Sequence, residues 1–154
     1  MTLSELINEN NEEKLIETVG QYIWDNCEKH NGFDKLTAEE YNFVMIDIFE
    51  SAMNQGGLMF FFKEDAGNFQ KEICKAYRAI NAPETAKIID KAIAKFPLIP
   101  FPTQQDVRVK AVANIPEELT QYWEDLEEEF FKYEEDVFEL TLQYIKENPK
   151  GFRV

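Results

Sequence analysis

Apolar residues recur every three or four positions through most of the chain, and only one short patch alternates. This constrains the fold more than any other feature, because it asks for helices and leaves almost no strand to pair with another. Between Glu12 and His30 the apolar set Leu15, Ile16, Val19, Tyr22, Ile23 and Cys27 lies on one face, predicting a helix over 12–30. In TAEE, Thr37 and Glu40 form a capping box that opens a second helix along Tyr41, Val44, Met45, Ile48, Phe49 and Ala52. Asn68 reads as the cap of a segment carrying Phe69, Ile73, Tyr77 and Ile80. Pro83 sits at a first helical position before Ala86, Ile89, Ala92, Ile93 and Phe96.

Between these helices lies NQGGLMFFFKEDAGN, where Gly56 and Gly57 either turn the chain or allow close backbone approach. The five apolar residues that follow predict a segment buried on all sides, read as a short core helix because no comparable strand exists to pair with it. Residues 97–116 form a proline-rich connection whose alternating patch, Val107-Arg108-Val109-Lys110, is compatible with a short strand or extended piece. Pro116 then opens a long C-terminal helical region. Its apolar seam Leu119, Trp123, Leu126, Phe130, Tyr133, Val137, Leu140 and Tyr144 fits one helix or two broken near Lys132. The seam reads as packing within the chain, with an intermolecular coiled coil as the alternative. The expected architecture is an all-α, single-domain bundle over 1–154 with about six to eight helices.

With 44% hydrophobic residues and thirteen Phe, the chain has enough apolar material for a core, so its charges belong to its surface. The formal charge of −14 opposes direct binding to nucleic acid or to anionic lipid. No apolar run approaches the length of a membrane span and the start has no signal-peptide pattern, so a cytoplasmic location is expected. Cys27 and Cys74 are far apart and read as core residues, not as a disulfide, a metal pair or a redox motif.

The charge is uneven, with a net −9 over residues 1–62, +2 over 63–96, +1 over 97–116 and −8 over 117–154. Residues 117–139 hold eleven acids and one lysine. As one helix they would rise about 35 Å, giving a net charge density close to that of a single DNA strand. Glu117, Glu124, Asp125, Glu128 and Glu135 fall mostly opposite the apolar seam, facing solvent or a partner.

Other chemistries find little in the sequence. His30 is the only histidine and reads as a capping or surface residue at a helix end. No carboxylate–histidine pair or calcium loop suggests a metal. Neither Ser4 nor Ser51 lies in a nucleophile elbow, and no glycine-rich phosphate loop is present. An enzyme, a metal site and a cofactor are therefore not expected.

The segment QGGLMFFFKEDAG, residues 55–67, followed by NAPETAKIIDKAIAKFP, residues 81–97, resembles the core of a bacterial DNA-mimic protein family with the approximate motif NGGFxQFFxNxxG. Gly56, Gly57, Phe61, Phe62 and Gly67 stand in matching places, whereas Gln55, Leu58, Phe60 and Glu64 depart from the pattern. LEEEFFKYEED and QYIKENPKGF extend the likeness to about residues 37–152. The resemblance implies an all-helical fold, a homodimer, and an acidic surface that occupies the DNA-binding face of a partner such as a transcription factor.

The expected function is therefore non-enzymatic binding of a basic DNA-binding protein. Glu117, Glu124, Asp125, Glu128 and Glu135 are the candidate partner-binding residues, with Glu12, Glu13 and Glu17 in support. The alternative is an immunity or antitoxin-like protein that sequesters a toxin through shape and aromatic anchors.

Overall fold

Helices follow one another along the chain in the computed structural model, which describes residues 2–154. They are α1 (Leu3–Asn8), α2 (Glu12–Lys29), α3 (Ala38–Lys63), α4 (Gln70–Ala79), α5 (Pro83–Ala94), α6 (Gln105–Ala111), α7 (Glu117–Phe131) and α8 (Val137–Glu147), with 3-10 turns at Asp65–Phe69 and Pro149–Gly151. No strand occurs among the described residues, so the all-α expectation holds. The helices pack as two compact units, one built from the residues up to Val44 with Asp136–Val154, the other from Met45–Glu135.

In the first unit, α2 buries the stripe Leu15, Val19, Ile23 and Cys27. Thr37 and Glu40 form the expected capping box: the Glu40 N–H donates to Thr37 Oγ1 at 3.1 Å and the Thr37 N–H to Glu40 Oε1 at 2.9 Å. Glu40 has a further role in tying down the C-terminal residues. Its buried carboxylate accepts from Arg153 Nη2 at 2.7 Å and from the Arg153 N–H at 3.2 Å, and the Thr37 hydroxyl donates to the Gly151 carbonyl. Phe152 is thereby held edge-on to Phe43 and Tyr144. Helix α1, which the periodicity does not reveal, carries its own capping box, Thr2 with Glu5, and buries Leu3 and Leu6.

The second unit is organised around the later part of α3. Gly57 breaks the helix with φ 74°, after which the helix resumes and buries Leu58, Phe61 and Phe62 completely. Met59 and Phe60 are only half-buried, so the apolar run presents one face to the core and is not buried on all sides. Around it, Phe49 meets Phe61, Tyr77 and Phe130 edge-on at centroid distances of 5.0, 5.9 and 5.4 Å. Phe62 packs against Trp123 with the rings tilted by 57° and their centroids 4.6 Å apart, and the Trp123 indole N–H donates to the Ala92 carbonyl at 3.1 Å. Pro83 occupies the first turn of α5, as expected.

Three local expectations are corrected. The alternating patch at 107–110 is helical, within α6, and its buried member is Arg108, while Val109 is 39% exposed. Alternation misleads here because the guanidinium, not the valines, faces the core. Asn68 does not cap α4, which begins at Gln70 directly after a 3-10 turn; its Oδ1 accepts from Arg108 Nη2 at 2.7 Å. Of the two forms left open for the C-terminal region, the broken one is found, with the interruption at 132–136, where Tyr133 takes φ 47° and Asp136 caps α8 by accepting from the Glu139 N–H; what is corrected is the seam. The apolar seam accordingly ends at Phe130. Beyond it α8 buries Val137, Thr141, Leu142 and Ile145, a different register from Val137, Leu140 and Tyr144.

Candidate functional site

Helix α7 is built to separate charge from apolar surface. Trp123, Leu126 and Phe130 recur at three and four residues and are buried. Its fifteen residues carry seven carboxylates and no basic side chain. At 100° per residue, Glu117, Glu124, Asp125 and Glu128 fall within about 100° of arc on the opposite face. All four are exposed, as are Glu118 and Glu129 beside them. Glu117 and Glu118 lie in the first turn, where the helix dipole favours negative charge.

Six outward carboxylates over about 22 Å give one charge per roughly 4 Å, against about 3.4 Å along one DNA strand. The ridge is bounded by Lys132 at its C-terminal end and by Lys95, whose Nζ stands 5.7 Å from the Tyr122 ring centroid. Gln121 donates to Asp125 Oδ1 at 2.9 Å, orienting that carboxylate along the ridge. Shallow grooves flank it, one lined by Glu117, Glu118, Gln121, Tyr122 and Asp125, the other by Glu124, Glu127, Glu128, Phe131 and Lys132.

Two carboxylates of the acidic stretch are turned to the fold instead. Glu127 Oε1 accepts the Leu58 N–H at 2.6 Å, closing the break in α3 at Gly57. Burial raises its pKa, the Leu58 N–H opposes the rise, and the charge of Glu124 adds to it. Glu135, expected on the outer face, sits in the α7–α8 connection and caps α5. Its carboxylate accepts from the Thr85 N–H at 2.6 Å, the Thr85 hydroxyl at 2.7 Å and the Glu84 N–H at 3.2 Å. The break at 132–136 is what takes Glu135 off the ridge, since an unbroken helix would have kept it in line.

Glu12, Glu13 and Glu17 are exposed on α2, in the unit that does not contain α7. Glu12 and Glu13 occupy the first turn after the Asn11 cap, and Glu12 lies 3.8 Å from Lys146. His30 is exposed at the C-cap of α2.

Two polar clusters, one partly and one fully buried, escape sequence reasoning. Glu50 accepts from the Tyr77 hydroxyl at 2.5 Å and from the Tyr133 hydroxyl at 2.9 Å. Burial pushes its pKa up, the two hydroxyls work against that, and Asp47 adds to it. Arg108 is fully buried and donates to the carbonyls of Phe62 at 2.8 Å, Pro102 at 3.0 Å and Glu64 at 2.9 Å, besides Asn68. It thus satisfies carbonyls at the C-terminal end of α3, where the helix dipole favours a cation. Gly67 makes room, for a Cβ there would lie 2.7 Å from Arg108 Nε and from the Phe61 carbonyl oxygen. The polar residue at the centre of V-R-V was the available signal, and it was hidden by the alternation.

Both cysteines are free and buried. The Cys74 thiol is pushed up to about 12 by burial, with Asp90 contributing, and so stays protonated at neutral pH. No group of three His, Cys, Asp or Glu side chains among the described residues is arranged to hold a metal ion. No helix among them is long and apolar enough to cross a membrane.

The family model described as DMP19-like protein matches residues 34–148. The match contains the Gly57 break, the Arg108 cluster and all of α7, and it leaves α1 and α2 outside. No curated protein and no solved structure matches the chain. A match over so much of the chain assigns its family, and the protein belongs to the DMP19-like protein family.

Proposed function

We propose that this is a non-enzymatic acidic binding protein of the DNA-mimic type, whose α7 ridge stands in for a phosphate backbone and occupies the DNA-binding surface of a basic partner protein. The observation that carries the reading is the outer face of α7, where Glu117, Glu118, Glu124, Asp125, Glu128 and Glu129 are exposed without an intervening basic residue. Family membership supports it independently. Such a ridge steers a basic partner during encounter and pairs with its Arg and Lys side chains, so binding weakens as salt screens the field. Glu12, Glu13 and Glu17 are a second exposed acidic group, carried by the other unit.

The decisive experiment captures partners from a native lysate on the wild-type protein and on a variant with Glu117→Lys, Glu124→Lys, Asp125→Lys and Glu128→Lys. The wild type retains a basic DNA-binding protein at low salt, duplex DNA competes it off, and the variant fails to retain it. Capture that survives both charge reversal and DNA competition removes the reading.

A second reading, sequestration of a toxin, is favoured by Phe131 and Tyr133, which remain 41% and 38% exposed beyond the ridge. Aromatic anchors of that kind dominate tight, largely desolvated interfaces. Retention of the partner at high salt, with loss on Phe131→Ala, selects this reading over mimicry.

A further inference from the structure

A cleft of about 630 Å³ opens in the Met45–Glu135 unit between the start of α4 and the proline-rich segment before α6. Its volume falls in the range of small-molecule sites. Ile93, Pro100 and Phe101 supply apolar wall, while Lys71, Glu72 and Gln104 stand on its polar side.

The cation beneath this cleft sets its chemistry. Gly67, Asn68, Phe101 and Pro102 all line the cleft, and each also touches or approaches Arg108. A Cβ on Gly67 would meet Arg108 Nε at 2.7 Å, Asn68 Oδ1 and the Pro102 carbonyl accept from the guanidinium, and Arg108 Cζ lies 5.7 Å from the Phe101 ring centroid. Every hydrogen bond that Arg108 makes goes to a neutral acceptor. Asp65 is the carboxylate whose charge reaches it, and only at longer range than an ion pair. The Arg108 charge is therefore held beneath the cleft floor, offset in part by the oxygen dipoles that accept from it and by the C-terminal end of α3, but with no carboxylate paired to it. Lys71 adds a second cation at the mouth, Glu72 opposes it, and residues 63–116 are the net positive stretch of a chain whose remainder is strongly acidic.

We propose that this cleft binds a small amphipathic anion, with its apolar part against Ile93, Pro100 and Phe101 and its acid group toward Lys71 above Arg108. The site is separate from the acidic ridge and stands whether or not that ridge binds a partner.

The test titrates the full chain with octanoate, octanol and octylamine, followed by amide shifts in ¹H–¹⁵N spectra. Octanoate produces saturable shifts at Gly67, Lys71, Thr103 and Gln104, octanol produces weaker ones, and octylamine produces none. Lys71→Glu, at an exposed position that leaves the fold intact, weakens octanoate binding by about tenfold or more. Absence of saturation, an equal response to octylamine, or indifference to Lys71→Glu overturns the proposal. So does a change in the same amides with protein concentration alone, which would mean that a second copy covers the cleft.

Discussion

Gly57 and Glu127 occupy the same small space from opposite directions. A Cβ on Gly57 would lie 2.3 Å from Glu127 Oε1, the same oxygen that accepts the Leu58 N–H at 2.6 Å. The positive φ at Gly57 exposes a helix N-terminus inside α3, and a carboxylate from α7 satisfies it. The second glycine of the motif's pair is thereby tied to a glutamate seventy positions later.

Gly57→Ala should therefore cost about 2–4 kcal/mol, from the left-handed backbone and from displacing the Glu127 carboxylate. Glu127→Ala should cost about 1–2 kcal/mol, as for other lost caps, and Glu127→Gln less because its amide oxygen still accepts. Urea unfolding of the two single variants and of Gly57→Ala/Glu127→Ala checks this. The double variant should lose less than the sum, since the clash and the cap share one oxygen.

Arg108 should tolerate replacement poorly. Arg108→Met leaves the Phe62, Glu64 and Pro102 carbonyls without their donor, at about 3 kcal/mol or more in total. Lysine cannot reach all three with its single ammonium, so Arg108→Lys should recover only part of the loss. Gly67→Ala should approach the effect of Arg108→Met, because the added methyl meets the Phe61 backbone as well as the guanidinium. Thermal melts of the three variants order them.

Glu50 should make stability fall as pH rises. Its pKa is raised in the folded state, chiefly by burial, so its stabilising contribution is complete below the unfolded value and is lost as pH climbs through the folded value. Glu50→Gln, which cannot ionise, should therefore gain relative to wild type as pH rises from the unfolded carboxyl value through the raised folded one. Urea midpoints from acid to neutral pH test it, and a ¹³C titration of the Glu50 carboxyl reads the shift directly.

Glu40 should behave in the opposite sense. Burial alone would raise its pKa, but the Arg153 guanidinium and the Thr37 and Arg153 N–H groups outweigh burial and lower it. Its contribution is present above the unfolded value and is lost as pH falls through the folded one. Glu40→Gln should cost about 1–3 kcal/mol at neutral pH and progressively less in acid. Amide exchange should also speed up at Phe152 and Arg153, the residues that this carboxylate holds.

Charge reversal on the α7 ridge should leave folding nearly untouched, because exposed acids make few interactions that the fold requires. Glu124→Lys with Glu128→Lys should shift the urea midpoint by less than the change expected for about 1 kcal/mol, and a slight gain is expected from relieving like-charge neighbours. A matched Glu135→Lys should be distinctly worse, since it removes the acceptor at the start of α5.

Much of this molecule was determined by the sequence alone, and for a definite reason. Helix periodicity, the Thr37–Glu40 capping box and Pro83 at a helix start depend on residues at most a turn or two apart, so α2, the start of α3 and α5 are legible without any tertiary information. The outward acids of α7 are legible too, because a seam of Leu119, Trp123, Leu126 and Phe130 assigns the opposite face to solvent. Tertiary structure decided what the remaining polar groups do. Glu127, Glu135, Glu50 and Arg108 satisfy backbone or hydroxyl groups forty or more residues away, or across a helix break, and no local pattern separates them from solvated charges. A carboxylate's burial is fixed by which backbone N–H groups lack partners nearby, and that is a property of the packed chain and not of the segment that carries the acid.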